Sequence, residues 1–293
     1  MYLPGGRPNK PRIHIIRRRT EVQGLRSWTP PGGTLGSIVG EALQRAEALR
    51  ARTAELEDRA RSIAPPAGFA SALRRADVAV IAEVKRRSPS KGWINPGISA
   101  GGQASAYQAG GASAISILTE PRHFGGSMDD LASVRDAVQL PVLRKDFHVD
   151  PVQLLEAKAA GASAALLIVR ALSPDQLVRM ADAAARLELE CLVEVRDTEE
   201  LERALAIAAA VIGVNSRNLE TLAVDPAAAD RLIAQVPSAV LAVAESGVAA
   251  RGDVERAARA GADAVLVGSA ISASADPAAA VSALVGVARS GRA

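Results

Sequence analysis

Between residues 78 and 268 the chain repeats one pattern eight times, a short apolar run followed by a stretch with helical spacing, often rich in alanine. The runs are V-A-V-I-A-E-V (78–84), A-I-S-I-L (114–118), P-V-L-R-K-D-F (141–147), A-A-L-L-I-V (164–169), C-L-V-E-V (191–195), V-I-G-V (211–214), V-L-A-V-A-E (240–245) and A-V-L-V-G (264–268). A spacing of about 20 to 34 residues leaves room for a helix between each run and the next, which is what parallel strands require. The join from helix to strand also repeats, as Q-A-G-G-A-S-A at 108, A-A-G-A-S-A at 159 and R-A-G-A-D-A at 259. Glycine there supplies the left-handed residue that stops a helix, and Ala208-Ala209-Ala210 is the same join with its glycine lost. Eight successive right-handed units buried on both faces favour closure into a barrel. An open doubly wound sheet would more often carry a glycine-rich dinucleotide loop after its first strand, and none is present. The expected fold is α/β, a (β/α)8 TIM barrel over residues 35–293, with a helical extension over 35–76. In that extension Ile38, Val39, Ala42, Leu43, Ala46 and Leu49 mark one helix that Pro65-Pro66 ends, and Phe69 and Leu73 mark a shorter piece.

Residues 1–34 read differently. They hold seven Lys/Arg and one Glu, whereas the remainder holds 28 basic and 31 acidic residues, so the basic character belongs to this segment. With Arg17, Arg18 and Arg19, no sustained apolar period and a breaker cluster at Pro30, Pro31, Gly32 and Gly33, it is expected to be a disordered arm. A solvated leader is the plain reading of its charges, and the lack of interleaved aromatic residues argues against nucleic acid. No apolar run reaches the roughly 18 residues of a membrane span and no signal sequence is present, so a cytoplasmic protein is expected. Cys191 stands alone in an apolar run, and His14, His123 and His148 are too scattered for a zinc centre, so no metal site is expected.

In a barrel of this kind the chemistry sits where the strands end. The polar residues at those ends are Glu83 and Lys85, Lys145 and Asp146, Glu194, Asn215 and Arg217, Glu245 and Ser246, and Gly268 and Ser269. Strand side chains alternate, so Glu83 and Lys85 face the same way, and charges inside an apolar barrel must pair with each other or with a ligand. The segments A-E-S-G-V (244–248) and V-G-S-A (267–270) put glycine and serine at the usual phosphate position after the seventh and eighth strands.

These residues, in order, carry a resemblance. I-A-E-V-K-R-R-S-P-S-K-G (81–92), F-G-G-S (124–127), P-V-L-R-K-D-F, L-L-I-V (166–169), L-V-E-V (192–195), I-G-V-N-S-R-N-L (212–219), A-E-S-G (244–247) and L-V-G-S (266–269) resemble indole-3-glycerol phosphate synthase over roughly residues 35 to 285. The resemblance implies a lyase of tryptophan biosynthesis that needs no cofactor. Its substrate, 1-(2-carboxyphenylamino)-1-deoxyribulose 5-phosphate, closes a ring, loses carbon dioxide and then water, and gives indole-3-glycerol phosphate. By the same resemblance Lys145 is the general acid, best served by a lowered pKa to which Lys85 contributes charge. Glu194 is the general base, Glu83 and Asn215 orient the leaving hydroxyl and the lysines, and Glu245 belongs to the catalytic set. Lys85 and Arg217 hold the substrate carboxylate. Pro89, Phe124, Phe147, Leu166 and Leu219 surround the anthranilate ring, and Ser88, Ser246, Gly247, Gly268 and Ser269 hold the phosphate. Arg87 and Trp93 depart from the family's usual pattern in the loop after the first strand, which is expected to close over substrate.

A phosphorylated small molecule is thus the expected partner of a monomer or weak homo-oligomer. Two alternatives stand beside the lyase: another phosphate-binding barrel isomerase or synthase, since fold alone does not set the reaction, and a catalytically silent relative whose arm binds a partner.

Overall fold

A computed structural model describes residues 28–64 and 66–292. Eight parallel strands close on themselves, each paired with its sequence neighbours and the first with the last. They are β1 (Ala79–Val84), β2 (Ala114–Leu118), β3 (Val142–Lys145), β4 (Ala164–Ile168), β5 (Glu190–Val195), β6 (Val211–Asn215), β7 (Leu241–Glu245) and β8 (Ala264–Val267). All eight apolar runs are strands, and β1, β2, β4, β6, β7 and β8 are buried along their whole length, as two covered faces demand. Their register sets Glu194 beside Gly213 and Asn215 beside Glu245 at the C-terminal rim.

The surrounding helices start at sequence-encoded caps. Asp150, Ser173, Asp225 and Asp276 each precede a proline at the first helical position, and each side chain accepts a backbone N–H of the first turn. The helices stop at a shared geometry. Gly111, Gly161 and Gly261 lie three residues before a strand with φ of 94°, 83° and 97°. Ala208 occupies the equivalent place before β6 at φ 56°, and its neighbour closes the same bond, with Ala209 N–H donating to Ala204 O. The glycine is lost there but the left-handed turn is not, so an alanine carries the strain.

The extension differs from the sequence reading in two ways. Its first helical pattern is two helices, α1 (Gly33–Arg50) and α2 (Thr53–Ser62), with α3 (Phe69–Leu73) after them. The apolar period ends at Leu49, and α2, half of it charged, buries only Leu56. The folded body also begins before residue 35. The Pro30-Pro31-Gly32-Gly33 cluster is the entry to α1, because Gly32 N–H donates to Glu220 at 3.1 Å and Arg170 donates to Thr29 O at 2.7 Å. Gly33, at φ 56°, rests so close to Glu220 O that a side chain would collide with it. The remainder of the expected arm, residues 1–27, lies outside the described residues. Among the described residues no helix is long and apolar enough to cross a membrane.

A left-handed conformation costs an ordinary residue about 1–2 kcal/mol, of which glycine's greater freedom in the unfolded chain takes back part. Ala208→Gly is therefore expected to stabilise the protein by about 0.5–1 kcal/mol, read as a higher urea midpoint at unchanged slope. An unchanged or lower midpoint would show that Ala208 carries no strain.

Candidate active site

The C-terminal rim of the barrel opens into a cavity of about 1370 Å³, its open mouth included. Lys145 reaches into it from the end of β3, and its ammonium lies 3.7 Å from Glu245, 3.8 Å from Glu194 and 3.9 Å from Glu83. Lys85, two residues beyond Glu83 on the same strand face, contacts that carboxylate at 2.8 Å. All three acids are buried. Burial alone would pull Lys145 down, but the Glu245, Glu83 and Glu194 charges together overturn it and hold the ammonium protonated, above the ordinary lysine range. This reverses the lowered lysine expected from the sequence, because three acids outweigh the charge of Lys85, which is itself engaged by Glu83. Burial pushes Glu83 up, yet the two lysines more than reverse that, and its carboxylate ends below the usual range. Glu245 goes the other way: burial, then the Glu194 charge, raise it to about 8. With Glu245 neutral, two ammonium groups face two carboxylates, and the buried cluster balances.

Two glycines make room for it. A Cβ at Gly213 would overlap Glu245 Oε1, and a Cβ at Gly268 would overlap Glu83 Oε1 and stand 2.9 Å from Lys85 Nζ. Gly268, expected for phosphate alone, thus also seats the Glu83–Lys85 pair. Asn215 turns its amide oxygen back to accept Arg217 N–H at 2.9 Å, which leaves its NH2 end for the cavity. Arg217 also lines the cavity while donating to Leu222 O at 3.0 Å.

One wall is apolar. Phe124 and Phe147 meet with ring centroids 6.1 Å apart, and Pro89, Leu166 and Leu219 continue that wall. Leu35 and Ile38 of α1 complete it; the helical period marks Ile38 as one of its apolar positions and leaves Leu35 unmarked. On the other side Ser88, Ser246, Gly247, Gly268 and Ser269 line the cavity, with Ser246 and Gly247 both left-handed at φ 63° and 69°. Lys91, which the sequence reading passed over, sits at the lip, its N–H donating to Ser88 Oγ. The structure therefore brings every candidate site residue to one cavity.

Buried ion pairs behind the rim hold the loops. Asp146 accepts from Thr119 Oγ1 at 2.7 Å, from Phe147 N–H at 2.8 Å and from Arg45 of α1 at 2.9 Å. Glu120 accepts the N–H groups of Arg122, His123 and Phe124. Beyond β1, Arg87–Ser88 pairs antiparallel with Gly92–Trp93, and the Arg87 guanidinium lies 5.5 Å from the Trp93 ring centroid while donating to Arg122 O. At the root of this ribbon Arg86 grips Asp130 at 2.6 Å. Among the described residues one group, Glu41, Glu120 and His123, has metal-ligand spacing, but its oxygens already face backbone N–H groups, Arg45, Arg122 and His123.

Residues 35–284 match the family model described as indole-3-glycerol phosphate synthase. The chain is 49% identical over 231 residues to an indole-3-glycerol phosphate synthase of Mycolicibacterium smegmatis, covering 79% of this chain and 85% of that one. It is 48% identical over 251 residues to one of a Nocardioides species, covering 85% and 96%. Among solved structures a thiamine phosphate pyrophosphorylase from Pyrococcus furiosus superposes with a TM-score of 0.54 at 16% identity, covering 71% of this chain and 93% of that one, a likeness of fold alone.

A carboxyl that keeps its proton in the folded chain to about pH 8, against 4.5 ordinarily, binds more protons folded than unfolded between those limits. Its contribution to stability is whole below about pH 4.5 and is lost as pH rises toward 8. Glu245→Gln removes that loss, so the unfolding free energy of the variant relative to wild type is expected to climb from pH 5 to pH 8. A difference independent of pH would mean that Glu245 is ionised throughout.

Proposed function

The chain belongs to the indole-3-glycerol phosphate synthase family, and on that premise we propose how its cavity converts 1-(2-carboxyphenylamino)-1-deoxyribulose 5-phosphate to indole-3-glycerol phosphate in tryptophan biosynthesis. The observation that carries the reading is an ammonium held among three buried carboxylates, between an apolar wall and a glycine- and serine-rich rim. The phosphate goes to Ser88, Ser246, Gly247, Gly268 and Ser269, where backbone N–H groups can approach it closely. The anthranilate ring goes to the wall of Pro89, Phe124, Phe147, Leu166 and Leu219, and Lys85 and Arg217 take its carboxylate through charge-assisted hydrogen bonds.

Lys145 then protonates the ketone oxygen as the ring carbon attacks, and the carboxylate leaves as carbon dioxide with its bonding electrons restoring the aromatic ring. Its surrounding carboxylates make Lys145 a weaker acid but keep it charged at neutral pH, so the proton is present when substrate arrives. For dehydration Glu194 takes a proton from the new ring, and the hydroxyl leaves as water with a proton from Lys85. Glu83 orients Lys85, Asn215 orients the leaving hydroxyl, and neutral Glu245 spares Glu194 a second adjacent negative charge. No cofactor is needed for these steps. These steps are proposed for a monomer or weak homo-oligomer, and the substrate class supports a cytoplasmic setting.

The test is growth of indole fluorescence when the purified protein meets this substrate. Lys145→Ala and Glu194→Gln are each expected to lose about 100-fold or more in kcat, the usual scale of general acid–base catalysis. A Lys145→Ala enzyme with near-wild-type turnover would remove Lys145 from the acid role.

A further inference from the structure

Beside the main cavity, with half of its lining residues in common, a second crevice opens between the loops that follow β5 and β6. It shares Glu194, Asn215 and Arg217 with the cavity and is bounded on its far side by Arg170, Arg196 and Glu200. The space within it that the centre of a water can occupy is about 20 Å³, room for a single water. Glu194 is 97% buried, since only 3% of it is exposed, and its Oε2 faces Lys145 in the main cavity at 3.8 Å. Two buried carboxyl groups, Glu194 and Glu200, border one small polar crevice, a setting in which ordered water is retained. Glu200, 6% exposed, stands on the first turn of the helix Thr198–Ala206, and its Oε2 accepts Arg196 N–H at 2.8 Å.

The chemistry proposed above leaves a deficit that this crevice can meet. A carboxylate departs as neutral carbon dioxide and a hydroxyl as neutral water, so each turnover consumes one proton. Lys145 and Lys85 each lose one proton and Glu194 gains one, and that one can return only to a single lysine. Product fills the mouth while the second lysine still lacks its proton. On the reading of Glu194 as the base, we propose that one water in this crevice joins Glu194 to Glu200, and that Glu200 is the port through which the buried cluster regains its proton from solvent. The step balances: the Glu200 carboxyl gives a proton to the water, the water gives one to the Glu194 carboxylate, and Glu194 passes it to a lysine. Arg196 and Asp197, both over a third exposed, flank Glu200 on the solvent side, from which it is reprotonated.

Glu200 is suited to the task. Burial first, then the Asp197 charge, raise its carboxyl to about 7, so it both holds and releases a proton near neutrality. The charged groups facing it are Glu194 and Arg196 from β5 and its loop, Asp197, Glu199 and Arg203 from its own helix, Arg170 after β4, and Arg217 and Glu220 after β6. Glu200 touches no substrate and acts only through Glu194.

Glu200→Gln keeps an oxygen to accept Arg196 N–H but cannot carry the proton. In the same fluorescence assay its kcat is expected to fall about tenfold with KM within twofold of wild type and the melting temperature little changed. Its solvent deuterium isotope effect should exceed that of wild type, because proton delivery becomes limiting, and Glu200→Asp should restore part of kcat. Wild-type kcat and isotope effect in Glu200→Gln overturn the relay. So does a loss of kcat shared equally by Glu200→Asp with no change in isotope effect, which marks a structural role. An active Glu194→Gln is a different failure, since it overturns the base assignment itself.

Discussion

Burying an ammonium among three carboxylates is the constraint on which the rest of the molecule turns. A lone charge of either sign in the barrel mouth would be too costly to keep, and a single ion pair would leave the remaining acids unbalanced. Two lysines against three acids, one of them neutral, is a composition that closes. It also sets the division of labour, because the same field that fastens a proton to Lys145 keeps Glu83 ionised and makes Glu245 hold its own. Acid and base stand less than 4 Å apart without quenching each other, since none of the contacts from Lys145 is a close hydrogen bond.

That balance survives only if the groups stay in place, and the fold supplies the rigidity from two directions. From below, six of the eight strands are buried throughout and fix the register of Glu83, Glu194, Asn215 and Glu245. From above, Arg45 of α1 bridges Asp146, next to Lys145, and Glu120, which caps the turn bearing Phe124. The extension that packs Leu35 and Ile38 over the apolar wall is thereby tied to the loops that carry the chemistry, so covering the substrate and aligning the acid are mechanically one task.

Strands and rim were legible in the sequence because a parallel barrel repeats itself, and side-chain alternation then says which polar residues share the interior. Glu83 and Lys85 meet for that reason alone. Where the repeat ends, legibility ends. The split between α1 and α2 was hidden because a charged helix that buries only Leu56 has little apolar period to read. The ordered stretch from Trp28 was hidden because what holds it is distant in sequence, Arg170 and Glu220. The direction in which Lys145 shifts depends on the sum of charges converging from β1, β5 and β7, which no local pattern contains. Glu200 gave no signal either, looking like one more acid in the first turn of a helix.

Two of the positions this site depends on have no side chain at all. Gly213 and Gly268 are the recesses into which Glu245 and Glu83 fit, so here the hydrogen on Cα is the functional atom. Scanning a protein with alanine takes alanine as the neutral reference, the residue that removes without adding. At these two sites it is the intruder: one methyl group is enough to evict a carboxylate and unbalance every charge around it.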